Sequence, residues 1–516
     1  MTRRIVLWLL LWPALSWASH TEPEPTKYWI VFKDKNRSAA PALSPGTLHS
    51  RQLRGLPVDD TDRPLSADYL AQLQQQGVTP LCRSRWFNAV SAQLSPAHIA
   101  QVKQLSFVKE LVPIDRHLVV TSLPNVDLTR PQFAPVMNQI QAGEFAAAGL
   151  TGRFVKVGVL DAGFFGADSA AALKHLFVRN GVRTVRDYVN AKKTKNDLFH
   201  NLESMSDFHG TEVLAAIAGL DPTENIQYGL ATDATFYLAR TDQGNREFRG
   251  EEDNWVQAIE WLDSLGVRLV NTSLGYARGF TDPKENYEPK QMDGHTSVIS
   301  RAAQMAADKK GMLIVVSAGN EGDDRSWRII STPADAQGVL AVGATNSRLW
   351  NRIGYSSIGP ESLPYLKPNV SCFSLYGTSL SAPVITGFAA CIMQANPKLT
   401  NREVIELIEK SSHLYPYGNN FVGYGVPQAS RVLALLRKQP LSATARSVNA
   451  SGKSVSLPLG LNDKETVSIF RKKDETHVIQ QEALKVSNGK LLIKRVNGEA
   501  RTTVDLKKEV IEVIWD

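Results

Sequence analysis

A chain of 516 residues allows about three domains, with ample core for the middle one. Its formal charge of +7 and pI near 9.1 invite a nucleic-acid reading, but residues 116–440 hold equal numbers of basic and acidic side chains, so the central domain is no phosphate trap. Three cysteines, Cys82, Cys372 and Cys391, exclude a disulfide framework, and no Cys/His cluster has metal-ligand spacing.

Residues 1–18 combine Arg3-Arg4, an apolar run from Ile5 to Trp17 and the small-x-small site Ser16-Trp17-Ala18, which predicts a secretory signal peptide. The run is short for a membrane span and is interrupted by Pro13. No later stretch reaches spanning length, so the mature protein is expected to be secreted or at the cell surface, with no membrane span. Residues 27–115 read as a small α/β unit: strands at Tyr28–Phe32, Ala89–Leu94 and Val108–Val112, helices at Ser66–Gln76 and Pro96–Gln104. An exposed connection follows over 116–138, marked by Pro124, Pro131 and Pro135.

Residues 139–440 form the central domain. Apolar runs at Val155–Leu160, Thr235–Ala239, Val267–Asn271, Met312–Ser317 and Val339–Val342 predict buried strands. They alternate with helices at His209–Ala218, Asp253–Leu265 and Thr296–Lys309, and two more helices follow at Val384–Gln394 and Asn401–Ser411. Such alternation predicts a doubly wound, mostly parallel α/β sheet. Tyr276–Asp293 is a polar, aromatic loop that either borders a cleft or is a surface insertion. In residues 441–516, strands at Val467–Phe470 and Val510–Trp515 with the turn pairs Asn488-Gly489 and Asn497-Gly498 predict a small β-sandwich, expected as a stabilising appendage.

The organising stretch is Gly377-Thr378-Ser379-Leu380-Ser381-Ala382-Pro383. An almost wholly apolar helix follows it, so Ser379 falls at the N-terminus of a buried helix, where orphan N–H groups and the helix dipole favour an oxyanion. A serine nucleophile needs a base and a carboxylate. His209, in Asp207-Phe208-His209-Gly210-Thr211, is the histidine in a suitable setting, and Asp161 ends the apolar run 154–160, where catalytic groups of open α/β sheets gather. Asn320, after the run 312–317, offers an amide to the oxyanion. Ser273, Leu274 and Gly275 extend another strand, along which a substrate backbone can lie.

The blocks around Asp161, His209, Asn320 and Ser379, in that order, resemble the subtilisin family of serine endopeptidases. The match spans about Gln139 to Gln428, and the segments Glu251–Trp255 and Met292–Arg301 are similar to secreted Bacteroidetes-type members. The resemblance implies a catalytic triad of Asp161, His209 and Ser379, an oxyanion hole completed by Asn320, and hydrolysis of protein or peptide substrates by a monomer that requires no cofactor. Structural calcium is common in such proteins, but no ligands are assignable. The N-terminal unit resembles an inhibitory propeptide, an intramolecular inhibitor; the alternative is a permanent domain. The C-terminal unit resembles a sorting domain in position and size, without its usual basic terminal motif. Leu380 and Ser381 replace the usual Met and Ala, and Glu212 replaces a common second histidine. An α/β-hydrolase esterase would need glycine at Ser381, and a sedolisin-like acid peptidase would place Asp at Asn320. Cys372 and Cys391 can pair if the first unit is removed, although the apolar helix around Cys391 favours buried thiols.

Overall fold

The computed structural model describes residues 26–114, 133–190, 194–243, 250–278, 286–441 and 445–516. The expected signal peptide and most of the 116–138 connection lie outside them.

The N-terminal unit contains β1 (Thr26–Phe32), α1 (Pro45–Leu53), α2 (Ala67–Gln75), β2 (Cys82–Ser84), β3 (Ala89–Leu94), α3 (Pro96–Lys103) and β4 (Val108–Ile114). Its antiparallel sheet has the order β2-β3-β1-β4. One face buries Phe32, Leu73, Val102 and Phe107 under α2 and α3. The other turns Trp29, Cys82 and Ala89 toward the central unit. The expected strands and helices are all present, and α1 and β2 are additions. No apolar stripe announces α1, whose buried residues are Thr47 and Arg51, and β2 is too short to show alternation.

The central unit is a seven-stranded sheet of β5 (Lys156–Asp161), β6 (Val182–Asp187), β7 (Thr235–Arg240), β8 (Leu269–Thr272), β9 (Leu313–Ser317), β10 (Leu340–Thr345) and β11 (Val370–Phe373). All pairings are parallel, in the order β11-β10-β9-β8-β5-β7-β6. The chain builds β6 and β7 on one side of β5 and then crosses to β8 on the other. The sequence order therefore reverses between β5 and β8, and the carboxyl ends of these two strands are where the topology of an open α/β sheet places its crevice. Helices α4 (His209–Ala218), α7 (Ser381–Ala395) and α8 (Asn401–Ser411) share one hydrophobic core, and α5 (Gly250–Ser264) and α6 (Val298–Lys310) share the other.

Contrary to the expectation that no later stretch reaches spanning length, one stretch among the described residues is long and apolar enough to cross a membrane, Thr378–Ala395, and 89% of it is buried inside the fold. It is the core helix α7. The cysteines are three free, buried thiols. On either side of residues 279–285 in the Tyr276–Asp293 loop, Tyr276, Tyr287 and Met292 are buried, so both ends of the loop are core.

A chain of alternating charges joins the N-terminal unit to α5 and α6. Lys310 pairs with Asp62 (2.8 Å), Asp62 with Arg51 (2.8 Å), Arg51 with Asp263 (2.6 Å) and Asp263 with Arg85 (2.7 Å). Glu260 ends it, accepting from the Ser84 hydroxyl (2.5 Å) and the Arg85 N–H (3.0 Å). Every side chain in it is at least nine-tenths buried. Lys27 adds a pair with Asp253 (2.5 Å).

Residues 445–516 form a five-stranded sheet faced by the pair Ser454–Pro458 and Lys490–Lys494. Val467, Ile469, Leu491, Ile493 and Trp515 fill the space between the two sheets. Asn488 (φ 53°) and Gly489 (φ 69°) make the tight turn their sequence signals. The parallel pairing of 445–450 with 510–515 has no such signal. The unit is docked on the central core through His413, whose Nε2 lies 3.2 Å from Asp505 Oδ2 with both side chains fully buried.

Replacing Asp263 with alanine takes a shared acceptor from two buried guanidinium groups. In the full chain, Asp263→Ala is expected to lower unfolding stability by about 3–5 kcal/mol. Denaturant unfolding in a Ser379→Ala background checks it, and a change below about 0.5 kcal/mol would show that the ion chain does not hold the units together.

Candidate active site

Asp161 ends β5 and is fully buried, where only a hydrogen-bonded or paired carboxylate is tolerated. Its Oδ1 accepts from the Ala162 N–H (2.8 Å) and lies 2.7 Å from His209 Nδ1; its Oδ2 has no protein donor. An ionised carboxylate only accepts, so Nδ1 carries the proton and Nε2 is left with a lone pair. The under-solvated carboxylate gains most when the imidazole becomes positive.

His209 is the first residue of α4, fed by a 3-10 turn at Met205–Phe208. The approach to Asp161 is close enough to exclude side chains: a Cβ on Gly210 would stand 2.3 Å from the Gly163 carbonyl oxygen. Burial lowers the pKa of His209, but the charge and hydrogen bond of Asp161, with Glu212 and Asp242 adding, carry it above the usual 6.5. Glu212, one turn further along α4, is itself pushed up to about 7, by burial first and then by Asp161 against the opposing pull of His209. Asp242 is raised by burial, although Thr241 and Tyr276 hydroxyls donate to it (2.5 and 2.6 Å).

Ser379 lies in the 3-10 turn Thr378–Leu380 that opens α7, after Gly377 at φ 120°, a conformation only glycine adopts readily. Its hydroxyl donates to the Ser273 carbonyl (3.3 Å), and the Ser273 hydroxyl donates to the Ser379 carbonyl (2.8 Å). The Ser379 hydroxyl is thus engaged by the Ser273 carbonyl rather than by His209. Among the described residues, the Ser379 N–H has no acceptor.

Asn320 follows β9 and is held by a residue the sequence reading passed over. Its Oδ1 accepts from the Thr378 N–H (2.8 Å) and hydroxyl (3.0 Å). A backbone N–H can only donate, so this contact fixes which amide atom is oxygen and leaves Nδ2 for the cleft. The half-buried Glu321 carboxylate accepts from the Asn320 N–H (2.9 Å) and steadies the same turn.

Ser273, Leu274 and Gly275 continue β8 into the crevice. Among the described residues, the backbone groups of Leu274 and Gly275 bond to no other part of the chain. Tyr276 is fixed by two backbone bonds to Thr332 (2.9 and 3.1 Å), and a Cβ on Gly275 would stand 2.1 Å from the Ser331 hydroxyl. The structure thus gathers all seven residues singled out in the sequence around one crevice. Missed were Thr378, Asp242 and Ser331, for which an isolated Thr, Asp or Ser gives no signal. No group of three or more His, Cys, Asp or Glu side chains suited to a metal ion occurs among the described residues.

Comparison with known proteins identifies the family. The Subtilase family model matches residues 152–425, and the model of a Bacteroidota peptidase S8 propeptide domain matches residues 27–126. Subtilisin DY of Bacillus licheniformis is 31% identical over 277 residues, covering 51% of this chain and 86% of its own. Subtilisin E of Bacillus subtilis is 29% identical over 297 residues, covering 55% and 67%. An epidermin leader peptide processing serine protease from Staphylococcus aureus shares the fold at a TM-score of 0.54 and 15% identity, over 80% of this chain and 99% of its own. The chain belongs to the subtilase family: it is a subtilisin-like serine peptidase that carries a propeptide domain of the Bacteroidota type.

Two outcomes are expected at this site. If its amide is an oxyanion donor, Asn320→Ala should reduce kcat by ~100- to 1,000-fold, the range for losing one such donor in a subtilisin, with the fold intact by circular dichroism. The acid limb of the kcat/KM profile should lie above pH 6.5, because only neutral His209 accepts a proton and its pKa is raised. Glu212→Gln removes one raising charge and should shift that limb to lower pH; an upward shift would contradict the assignment.

Proposed function

We propose that the protein is a secreted endopeptidase that hydrolyses protein and peptide substrates through a triad of Asp161, His209 and Ser379. The 2.7 Å contact between Asp161 and His209 Nδ1, at the crevice where Ser379 opens α7, carries the reading. Ser379 Oγ attacks the scissile carbonyl carbon while His209 Nε2 takes its proton. The resulting oxyanion accepts from the Ser379 N–H and Asn320 Nδ2. As the C–N bond breaks, His209 returns the proton to the leaving amine and an acyl-enzyme remains. Water, deprotonated by His209, repeats the attack, and collapse releases the acid and restores Ser379. The substrate backbone lies along Ser273–Gly275, whose free backbone groups at Leu274 and Gly275 pair with it and hold its register.

The N-terminal unit, residues 27–115, is the protein's own inhibitor until the connection after it is cut. The propeptide match and the buried ion chain on α5 and α6 support this partner. Signal-peptide removal at about residue 18 would deliver the precursor outside the cytoplasm.

The expressed protein should label at Ser379 with a fluorophosphonate and show a new N-terminus beyond residue 114. Ser379→Ala should accumulate uncut, since loss of the nucleophile costs on the order of a millionfold, a subtilisin value. Processing of that variant at the same site and rate in a protease-free host would show that the triad does not make the cut.

A further inference from the structure

Arg240 closes β7, the neighbour of the strand that carries Asp161, and is 2% exposed. A guanidinium has five N–H donors, and all five are used here. Nε donates to the Ala162 carbonyl (2.8 Å). Nη1 donates to Asp187 Oδ2 (3.3 Å) and Glu203 Oε2 (3.1 Å), and Nη2 to Glu203 Oε2 (3.1 Å) and Asp207 Oδ1 (3.3 Å).

These bonds end on the segments that carry two of the triad residues. Ala162 follows Asp161 directly, and Asp207 lies two residues before His209, in the turn that leads into α4. Asp207 also closes that turn, with its Oδ2 accepting from the N–H groups of Glu203 (2.6 Å) and Ser204 (3.0 Å). The packing leaves no slack: a Cβ on Gly163 would stand 2.5 Å from Asp207 Cα. None of the five bonds reaches Ser379, Asn320 or the strand Ser273–Gly275.

We infer that Arg240 is a positioning residue that fixes the Asp161 segment against the His209 segment and acts on catalysis only through the Asp161–His209 hydrogen bond. The inference rests on the triad reading above. A lysine cannot replace it, because a single ammonium with three donors cannot span a carbonyl and three carboxylates arranged around a planar fork. The groups that face His209 are Asp161 from β5, Glu212 from α4 and Asp242 from the segment after β7. If the Asp161 contact loosens, burial is less opposed, and the imidazole gives up its proton at lower pH.

The test uses the full-length protein carrying Arg240→Lys or Glu203→Gln, with kcat counted per active site titrated by a fluorophosphonate, so that loss of folded protein does not enter. Arg240→Lys should lower kcat by on the order of 10- to 100-fold through misplacement of the base. KM should change by less than about twofold, since the substrate strand is untouched, and the acid limb should move to lower pH. Glu203→Gln, whose side chain is 40% exposed, is the folding-tolerant variant and should move kcat and the limb in the same direction by less. Unchanged kcat per site and an unmoved acid limb would make Arg240 a structural residue only. Should Arg240→Lys not fold, Glu203→Gln decides by the same two readings. Undiminished hydrolysis by Ser379→Ala would instead overturn the triad reading, a result these values cannot imitate.

Discussion

Helix α7 has no polar face, and that constraint governs the molecule. Thirteen residues from Ser381 to Met393 are buried, so the helix can only run through the middle, against the sheet on one side and α4 and α8 on the others. Its position is set at close quarters. The Thr386 hydroxyl donates to Asn271 in β8 (2.8 Å), and a Cβ on Gly387 would stand 3.0 Å from the Ile217 carbonyl of α4. Because α4 begins with His209 and α7 with the turn holding Ser379, packing two helices by their small residues also fixes two functional groups relative to one another.

Buried charge is handled differently in two places. Around Arg240, one cation meets three carboxylates, and the arrangement is held by the shape of the guanidinium rather than by charge balance. Between the first unit and α5 and α6, cations and anions alternate, and each unit supplies charges that the other neutralises. Groups of the second kind are costly to leave alone. Lys310 and Asp263 belong to the peptidase but find their partners on the unit that precedes it.

Much of this was legible in the sequence. The strands of the central sheet that are buried on both faces read as apolar runs, and helix α4 and the strand 510–515 fall at their expected residues. Strand β6 was not legible: its pattern Val-Arg-Thr-Val-Arg-Asp belongs to a sheet edge with one solvated face, and charged residues mask the alternation. Strand β11 is four residues long and was hidden by its shortness. At the site, Asp161, His209, Asn320 and Ser379 each stand in a local context of strand end, glycine or helix start that marks them. Arg240, Asp242 and Thr378 act through partners distant in the chain, and no local context marks a residue whose role is set by tertiary contact.

His413 and Asp505 meet without water at the border between the peptidase core and the C-terminal sheet. The histidine Nδ1 accepts from the Val426 N–H (2.8 Å), so Nε2 must bear the proton that faces Asp505. One half of a buried pair is therefore made almost a hundred residues after the other. A ribosome adding ~5–20 residues per second needs roughly 5–20 s to cover that interval. Until residues 445–516 dock, His413 Nε2 lacks the carboxylate it meets in the finished fold. The C-terminal unit thus supplies the acceptor for a buried N–H that the central core itself leaves unanswered.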